Sequence, residues 1–160
     1  MSFINRRGLP FKADQPTTAD GDCFVSAVIQ QLQRPSIAAD FGQLLQSVDL
    51  QNFKLLVRQF ILNSSHPRVL AMKETFKTLE GLPSESDFRT VDIGMSWENY
   101  WENIVKPKVW ASETFIQSVA WFLKRDIMII TINTDDHIRY INTIINSTVL
   151  NIPYFKNTLI

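Results

Sequence analysis

The sequence predicts an α+β fold, of the kind also classed as α/β, with a small, mainly antiparallel sheet flanked by helices. Several segments carry apolar residues at helical spacing, so that each presents one face to a core. Near the C-terminus, Ile127 to Ile132 is apolar without alternation, which predicts a strand covered on both faces. His137 to Ile145 is predicted to pair with it as the second strand of a hairpin.

Prolines and capping residues set the expected helix boundaries. The helix that contains Cys23 is expected to end near Arg34, because Pro35 disfavours a helical conformation in the residue before it. Residues 37–45 are expected to form a short helical or irregular segment. Longer helices are predicted over residues 50–62, 67–79 and 97–104, and another begins after Ser112, which can cap it. The aromatic residues of 97–104 are expected to lie in the core, and the buried stripe expected in residues 50–62 is Phe53, Leu56, Val57, Phe60 and Ile61.

Composition and charge limit the possible functions. The chain has 160 residues, with sixteen Lys plus Arg and sixteen Asp plus Glu, so no global field favours nucleic acid or an acidic membrane. One cysteine excludes an internal disulfide, and together with two histidines it makes no zinc site of the usual spacing. We therefore expect no metal or cofactor, and neither nucleic acid nor membrane as a partner. Without a signal peptide or spanning segment, the chain is predicted to be a cytoplasmic monomer.

The lone cysteine, Cys23, follows Asp20, Gly21 and Asp22 at the first turn of its amphipathic helix. Asp20 is expected to act as the N-cap, and Gly21 to allow a tight entry. Unpartnered backbone N–H groups at such an end stabilise a thiolate and can hold a developing oxyanion. The charges of Asp20 and Asp22 oppose thiolate formation, however, and a buried inert cysteine is the commoner case. Position and capping alone leave both interpretations open.

Two motifs resemble one known family. The run Asp20-Gly21-Asp22-Cys23-Phe24 is similar to the Asp-Gly-Asn/Asp-Cys-Leu-Phe signature of the ovarian tumour (OTU) family of cysteine proteases, most of which are deubiquitinases. Downstream, the family has a Trp-Gly turn, a Glu-led helix and an Ile-x-Ile strand, and the segment from Trp110 through Glu113 to Ile130 resembles this pattern. The resemblance predicts a lead-in over residues 1–17 and an OTU-like domain over residues 18–160.

The resemblance implies a papain-like architecture and a thiol isopeptidase that cleaves ubiquitin or ubiquitin-like conjugates. Cys23 would attack the carbonyl carbon after the terminal glycine of ubiquitin, and Asp20 would shape the catalytic loop. The backbone N–H groups of Gly21, Asp22 and Cys23 are the candidate oxyanion hole. Trp110 is expected to pack beneath the site.

The general base is the part of this chemistry that the sequence does not supply. Cysteine proteases need an imidazole within hydrogen-bond reach of the sulfur. In the OTU family that histidine lies just beyond the final core strand, and Thr158-Leu159-Ile160 resembles the opening of this strand. The chain is therefore expected to stop short of the strand's end and of its His motif. His66 is expected to be solvated or capping. His137 is expected to be exposed in a turn, and it could serve as the base only if that end of the hairpin faces Cys23.

The expected consequence is a chain that is inactive or nearly so as given. Three alternatives stay open at this point. The chain could be a non-catalytic pseudoenzyme that binds ubiquitin, or a structural domain in which Cys23 is buried and inert. It could also be a different papain-like hydrolase with the same placement of its cysteine.

Overall fold

A computed structural model of the protein describes residues 20–80, 94–132 and 138–144. Within these ranges the chain forms helices followed by a two-stranded hairpin. In chain order the elements are α1 (Cys23–Leu32), α2 (Pro35–Ala38), α3 (Gln43–Gln46), α4 (Leu50–Leu62), α5 (Pro67–Leu79), α6 (Trp97–Ile104), α7 (Glu113–Leu123), β1 (Ile127–Ile132) and β2 (Ile138–Ile144).

Local capping explains where most helices begin. Asp49 caps α4 by accepting a hydrogen bond from the Asn52 amide at 2.8 Å, and Ser96 caps α6 in the same way at 3.1 Å. The predicted bounds of α4, α5 and α6 are confirmed, and α7 begins directly after the predicted Ser112 cap. The first helix ends at Leu32, slightly before the expected position.

The core lies where α4 packs between α1 and α7. Each of these helices contributes one apolar stripe, as the helical spacing predicts. The fully buried members of the stripes are Val25, Val28, Leu32, Phe53, Val57, Ile61, Phe115, Val119 and Leu123. Phe60 was expected in the α4 stripe but is partly exposed, and its ring packs at a tilt on Phe122.

An aromatic cluster joins α5 and α6 to this core. Phe76 of α5 makes an edge contact with Trp97, and Trp97 makes another with Trp101. Trp101 reaches the ring of Phe115 in α7, with 6.3 Å between ring centroids. The prediction that the aromatic residues of α6 belong to the core is confirmed.

The hairpin confirms the predicted pairing of β1 with β2, which is antiparallel. Its register runs from Ile127 opposite Ile144 to Thr131 opposite Tyr140, and becomes irregular between Thr131 and Ile132. Ile127 is buried in the core cluster. The rest of the described chain is mostly helical, so a larger sheet flanked by helices stays a prediction. Thr158-Leu159-Ile160 lies outside the described residues.

Within the described ranges, no helix combines the length and the apolar character that crossing a lipid bilayer requires.

Candidate active site

Cys23 is the first residue of α1, and its thiol is free and half-buried. We call the three residues before it, Asp20, Gly21 and Asp22, the cysteine loop. The expectation that Asp20 caps α1 is wrong, because Asp22 occupies the N-cap position. Asp20 instead closes the loop on itself, since its Oδ1 accepts a hydrogen bond from the Asp22 amide at 2.9 Å. The Asp22 side chain also makes no capping bond, because it points into the protein.

Inside the protein, the Asp22 carboxylate forms an ion pair with Lys54 of α4. The two charged atoms, Lys54 Nζ and Asp22 Oδ1, are 2.7 Å apart. The Lys54 residue is only 1% exposed and Asp22 only 5%, so solvent hardly screens the pair. Lys54 Nζ also donates to the Lys106 carbonyl at 3.0 Å. A buried charge without such partners is strongly destabilising, and this arrangement supplies them.

The burial of Lys54 was not predicted from the sequence, although a signal for it was present. Lys54, Val57 and Ile61 follow the spacing i, i+3 and i+7, so they share one helix face. Val57 and Ile61 were recognised as core residues, and a lysine in line with them needs a buried partner. The identity of that partner is not local, because 32 residues separate it from Lys54.

The loop between α6 and α7 covers the other side of the cysteine loop. The backbone amide of Lys108 donates to both carboxylate oxygens of Asp22, each at 3.1 Å. Lys108 has a positive φ of 64°, which is unusual for a residue with a side chain. Its carbonyl lies so close to Gly21 that an added Cβ there would be 1.8 Å from the oxygen. Gly21 is therefore required by this close approach of two backbones.

At the surface, the Lys108 ammonium pairs with the Asp20 carboxylate. The hydrogen bond from Lys108 lowers the pKa of Asp20 below its ordinary value, and the bond from the Asp22 amide lowers it further. The same contact with Asp20 raises the pKa of Lys108. Because both groups are solvated, the pair adds little to stability. It does tie the outer edge of the cysteine loop to the α6–α7 loop.

The three candidate oxyanion donors differ in their partners. The Asp22 amide donates to Asp20 Oδ1, and the Cys23 amide donates to the Asp20 carbonyl at 3.2 Å. Among the described residues, nothing accepts a hydrogen bond from the Gly21 amide. A substrate oxyanion would therefore have to displace Asp20 to use more than one of these donors. Their assignment as an oxyanion hole stays a prediction.

Trp110 does not pack beneath the site as expected, since 63% of it is exposed. The space behind α1 is already filled by other aromatic rings. Phe24 makes an edge contact with Phe115, and Phe115 in turn contacts Trp101. Trp110 consequently stays on the surface, two residues beyond Lys108.

Of the two histidines, only His66 is among the residues that the structure describes. His66 caps α5, because its Nδ1 accepts a hydrogen bond from the Arg68 amide at 3.2 Å, and this confirms the capping role. His137 lies outside the described residues. Within the described part of the chain, no group of three or more His, Cys, Asp or Glu side chains is placed to hold a metal ion.

A free cysteine at the start of a helix, behind a firmly held loop, is characteristic of thiol hydrolases. A family model described as OTU-like cysteine protease matches residues 18–157. The chain therefore belongs to the OTU-like cysteine protease family, and the match implies the papain-like fold of that family. The searches of curated proteins and of solved structures returned no significant match.

Proposed function

We propose that the protein is a thiol isopeptidase acting on ubiquitin or a ubiquitin-like protein, with Cys23 as its nucleophile. Membership of the OTU-like family supports the reaction class and the choice of substrate. The single structural observation that carries the residue assignment is the half-buried, free thiol at the first position of α1. A monomeric state and a cytoplasmic location stay predictions from the sequence.

The proposed chemistry follows from this placement. The Cys23 thiolate attacks the carbonyl carbon of the terminal glycine of ubiquitin, so that a C–S bond forms and the carbonyl oxygen becomes negative. Of the three candidate donors, the Gly21 amide is the one with no described acceptor, so it is the proposed donor to that oxygen, and the positive end of the α1 dipole favours the same charge. Expulsion of the protonated amine leaves a thioester, and water then hydrolyses it.

Proton transfer is the step for which the described residues offer least. His66 is the one histidine among the described residues, and its Nδ1 is engaged in capping α5. Without an imidazole near the sulfur, the reaction loses about 10²- to 10⁴-fold in rate. We therefore propose that the 160-residue chain cleaves conjugates very slowly, while its thiol still reacts with an electrophile placed at the C-terminus of ubiquitin.

The test uses ubiquitin with a C-terminal electrophile and, separately, a fluorogenic ubiquitin amide. The expected result is a covalent adduct with the wild-type chain, none with Cys23→Ala, and little hydrolysis of the amide. A clear catalytic rate that disappears in both Cys23→Ala and His137→Ala would contradict the proposal of slow turnover. It would identify His137 as the base.

One observation favours a second candidate, a domain that binds ubiquitin without cutting it. Asp20 engages the amides of both Asp22 and Cys23, which leaves a poor oxyanion site in this conformation. Measurable binding of ubiquitin without adduct formation would support this candidate. A structural domain with a buried, inert cysteine is less consistent with a Cys23 that is not fully buried, and it predicts slow alkylation of Cys23 by iodoacetamide in the folded protein.

A further inference from the structure

We propose that Lys54 is a positioning residue for the Cys23 thiol, acting through its ion pair with Asp22. The inference rests on the proposed role of Cys23 as a nucleophile. Lys54 belongs to α4 and touches neither the proposed substrate site nor the sulfur in any described contact. Its effect would be transmitted through the residue that directly precedes Cys23.

The first support is the way Lys54 joins separate parts of the chain. Its ammonium donates to Asp22 in the cysteine loop, 32 residues away in sequence, and to the Lys106 carbonyl, 52 residues away. One buried cation thereby holds the cysteine loop and the α6–α7 loop against the central helix of the core. A flexible surface lysine would not fix either loop.

The second support is that Asp22 has little freedom to move. Its carboxylate also accepts the Lys108 amide, and the neighbouring Gly21 backbone is seated against the Lys108 carbonyl. Moving Asp22 would break hydrogen bonds to a buried charge, which is costly. Because Asp22 is the N-cap of α1, its position fixes where the helix begins and hence where the sulfur lies. A nucleophile must be held to within fractions of an ångström for efficient attack.

The third support is electrostatic. The Asp22 carboxylate is one residue from the thiol, and an uncompensated anion there would oppose thiolate formation. Lys54 cancels this charge at 2.7 Å. The other charged groups of the two loops are Asp20 and Lys108, which neutralise each other, and Lys106, which is exposed. Loss of Lys54 alone should therefore both loosen the cysteine loop and leave the buried Asp22 carboxylate, one residue from the sulfur, without its buried counter-ion.

The experiment compares Lys54→Met, the double variant Lys54→Met with Asp22→Asn, and Lys73→Met, which replaces an exposed lysine of α5 as a matched control. The rate of Cys23 alkylation by iodoacetamide is measured against pH, and adduct formation is measured with the ubiquitin electrophile. In Lys54→Met we expect the alkylation midpoint to move to higher pH and the adduct rate to fall at least about tenfold, a change equivalent to about 1.4 kcal/mol.

The double variant separates charge from position. It contains no unpaired buried charge, so it should fold even if Lys54→Met does not, which thermal melting will show. Its alkylation midpoint should return close to that of the wild type, while its adduct rate stays low because the loop is no longer held. A wild-type adduct rate in the double variant would overturn the inference.

The design keeps this inference distinct from the proposed function. If the wild-type chain forms no adduct with the ubiquitin electrophile, the proposed function fails. The pH profiles of alkylation by iodoacetamide then still test whether Lys54 positions the Cys23 thiol. An unchanged midpoint in folded Lys54→Met, or an equal shift in Lys73→Met, would overturn that role.

Discussion

Lys108 meets the cysteine loop through three different groups. Its ammonium pairs with Asp20, its backbone amide donates to the Asp22 carboxylate, and its carbonyl abuts Gly21. Two of these contacts involve the backbone, so they depend on the conformation of residue 108 more than on its side chain. The remaining contact, between the Lys108 ammonium and Asp20, involves charges that reach solvent and should respond to pH.

The Asp20–Lys108 pair gives a titration that can be tested. Because the pKa of Asp20 is lowered in the folded protein, its contribution to stability is present above the unfolded carboxyl pKa and is lost as pH falls through the folded value. The raised pKa of Lys108 means that its contribution is present below the unfolded lysine pKa and is lost as pH rises through the folded value. The pair is thus intact at neutral pH; it is lost in acid as the pH falls through the lowered pKa of Asp20, and in base as the pH rises through the raised pKa of Lys108.

Lys108→Met should raise the pKa of Asp20 towards its ordinary range, as followed by carboxyl ¹³C NMR across the acid range. Lys73→Met is the control and should leave the Asp20 titration unchanged. An Asp20 midpoint that is the same with and without Lys108 would show that this contact does not set the pKa.

Gly21→Ala should destabilise the protein, because the new methyl group would collide with the Lys108 carbonyl. Overpacking of this kind costs about 1–3 kcal/mol, and each kcal/mol lowers Tm by about 2–4 °C in a chain of this size. The measurement is thermal melting followed by circular dichroism. We also expect slower adduct formation by Cys23 at a temperature where the variant is folded.

Gly42→Ala is the matched control, since a Cβ at Gly42 meets no atom within 4 Å. It should leave the melting temperature unchanged or raise it slightly, because alanine restricts the unfolded chain. Equal effects of the two substitutions would mean that the close approach at Gly21 is absent in solution.

At the scale of the element, each helix from α4 to α7 begins where one polar side chain accepts a hydrogen bond from a backbone amide that the helix leaves unpaired. Asp49, His66, Ser96 and Ser112 fill this role for α4 to α7. In α1 the same position is held by Asp22, whose carboxylate is committed to Lys54 instead. The helix that carries the thiol therefore lacks the side-chain cap that α4 to α7 have.

Ser96→Ala should lower the free energy of unfolding by about 1 kcal/mol, because the Asn99 amide loses its cap. Chemical denaturation at neutral pH measures this difference. Ser65→Ala, at an exposed serine between α4 and α5, should change stability by no more than about 0.5 kcal/mol. If Ser65→Ala destabilised the chain as much as Ser96→Ala, capping would not be the cause.

At the scale of the whole molecule, α4 is the element on which the rest depends. One part of its surface packs on α1 and α7, and Lys54 on the same helix holds the cysteine loop. Stability and site geometry are therefore coupled through a single helix. Changes that loosen the packing of α4 should affect both.

Phe53→Ala should destabilise the protein by about 3–5 kcal/mol, because Phe53 is fully buried and removal of its ring leaves a cavity. Leu55→Ala, two residues further along α4 and 40% exposed, should have a much smaller effect. Urea denaturation of both variants provides the comparison. Similar losses would contradict the assignment of α4 as the central helix.

Much of this architecture could be predicted from local sequence. Apolar stripes and caps gave the bounds of α4, α5 and α6, and the run of isoleucines in β1 gave the hairpin with β2. These features depend on residues within a few positions of one another, so local rules can identify them. The motif around Cys23 likewise led to the family that the comparison confirms.

The placement of Trp110 and the burial of Lys54 could not be predicted in the same way. Whether Trp110 is covered depends on how Phe24, Phe115 and Trp101 fill the space behind α1. Whether a lysine is buried depends on a carboxylate that folding brings to it from another part of the chain. Such contacts are decided by packing, which no local pattern encodes.

The sequence by itself therefore determined the helices and the thiol at the start of one of them. Only the tertiary structure decided how that thiol is held, because the Asp22 carboxylate, the Lys54 ammonium and the Lys108 amide come from three distant segments. Burial removes the water that would otherwise solvate these charges, so they must bind one another. That requirement fixes the loop that precedes Cys23.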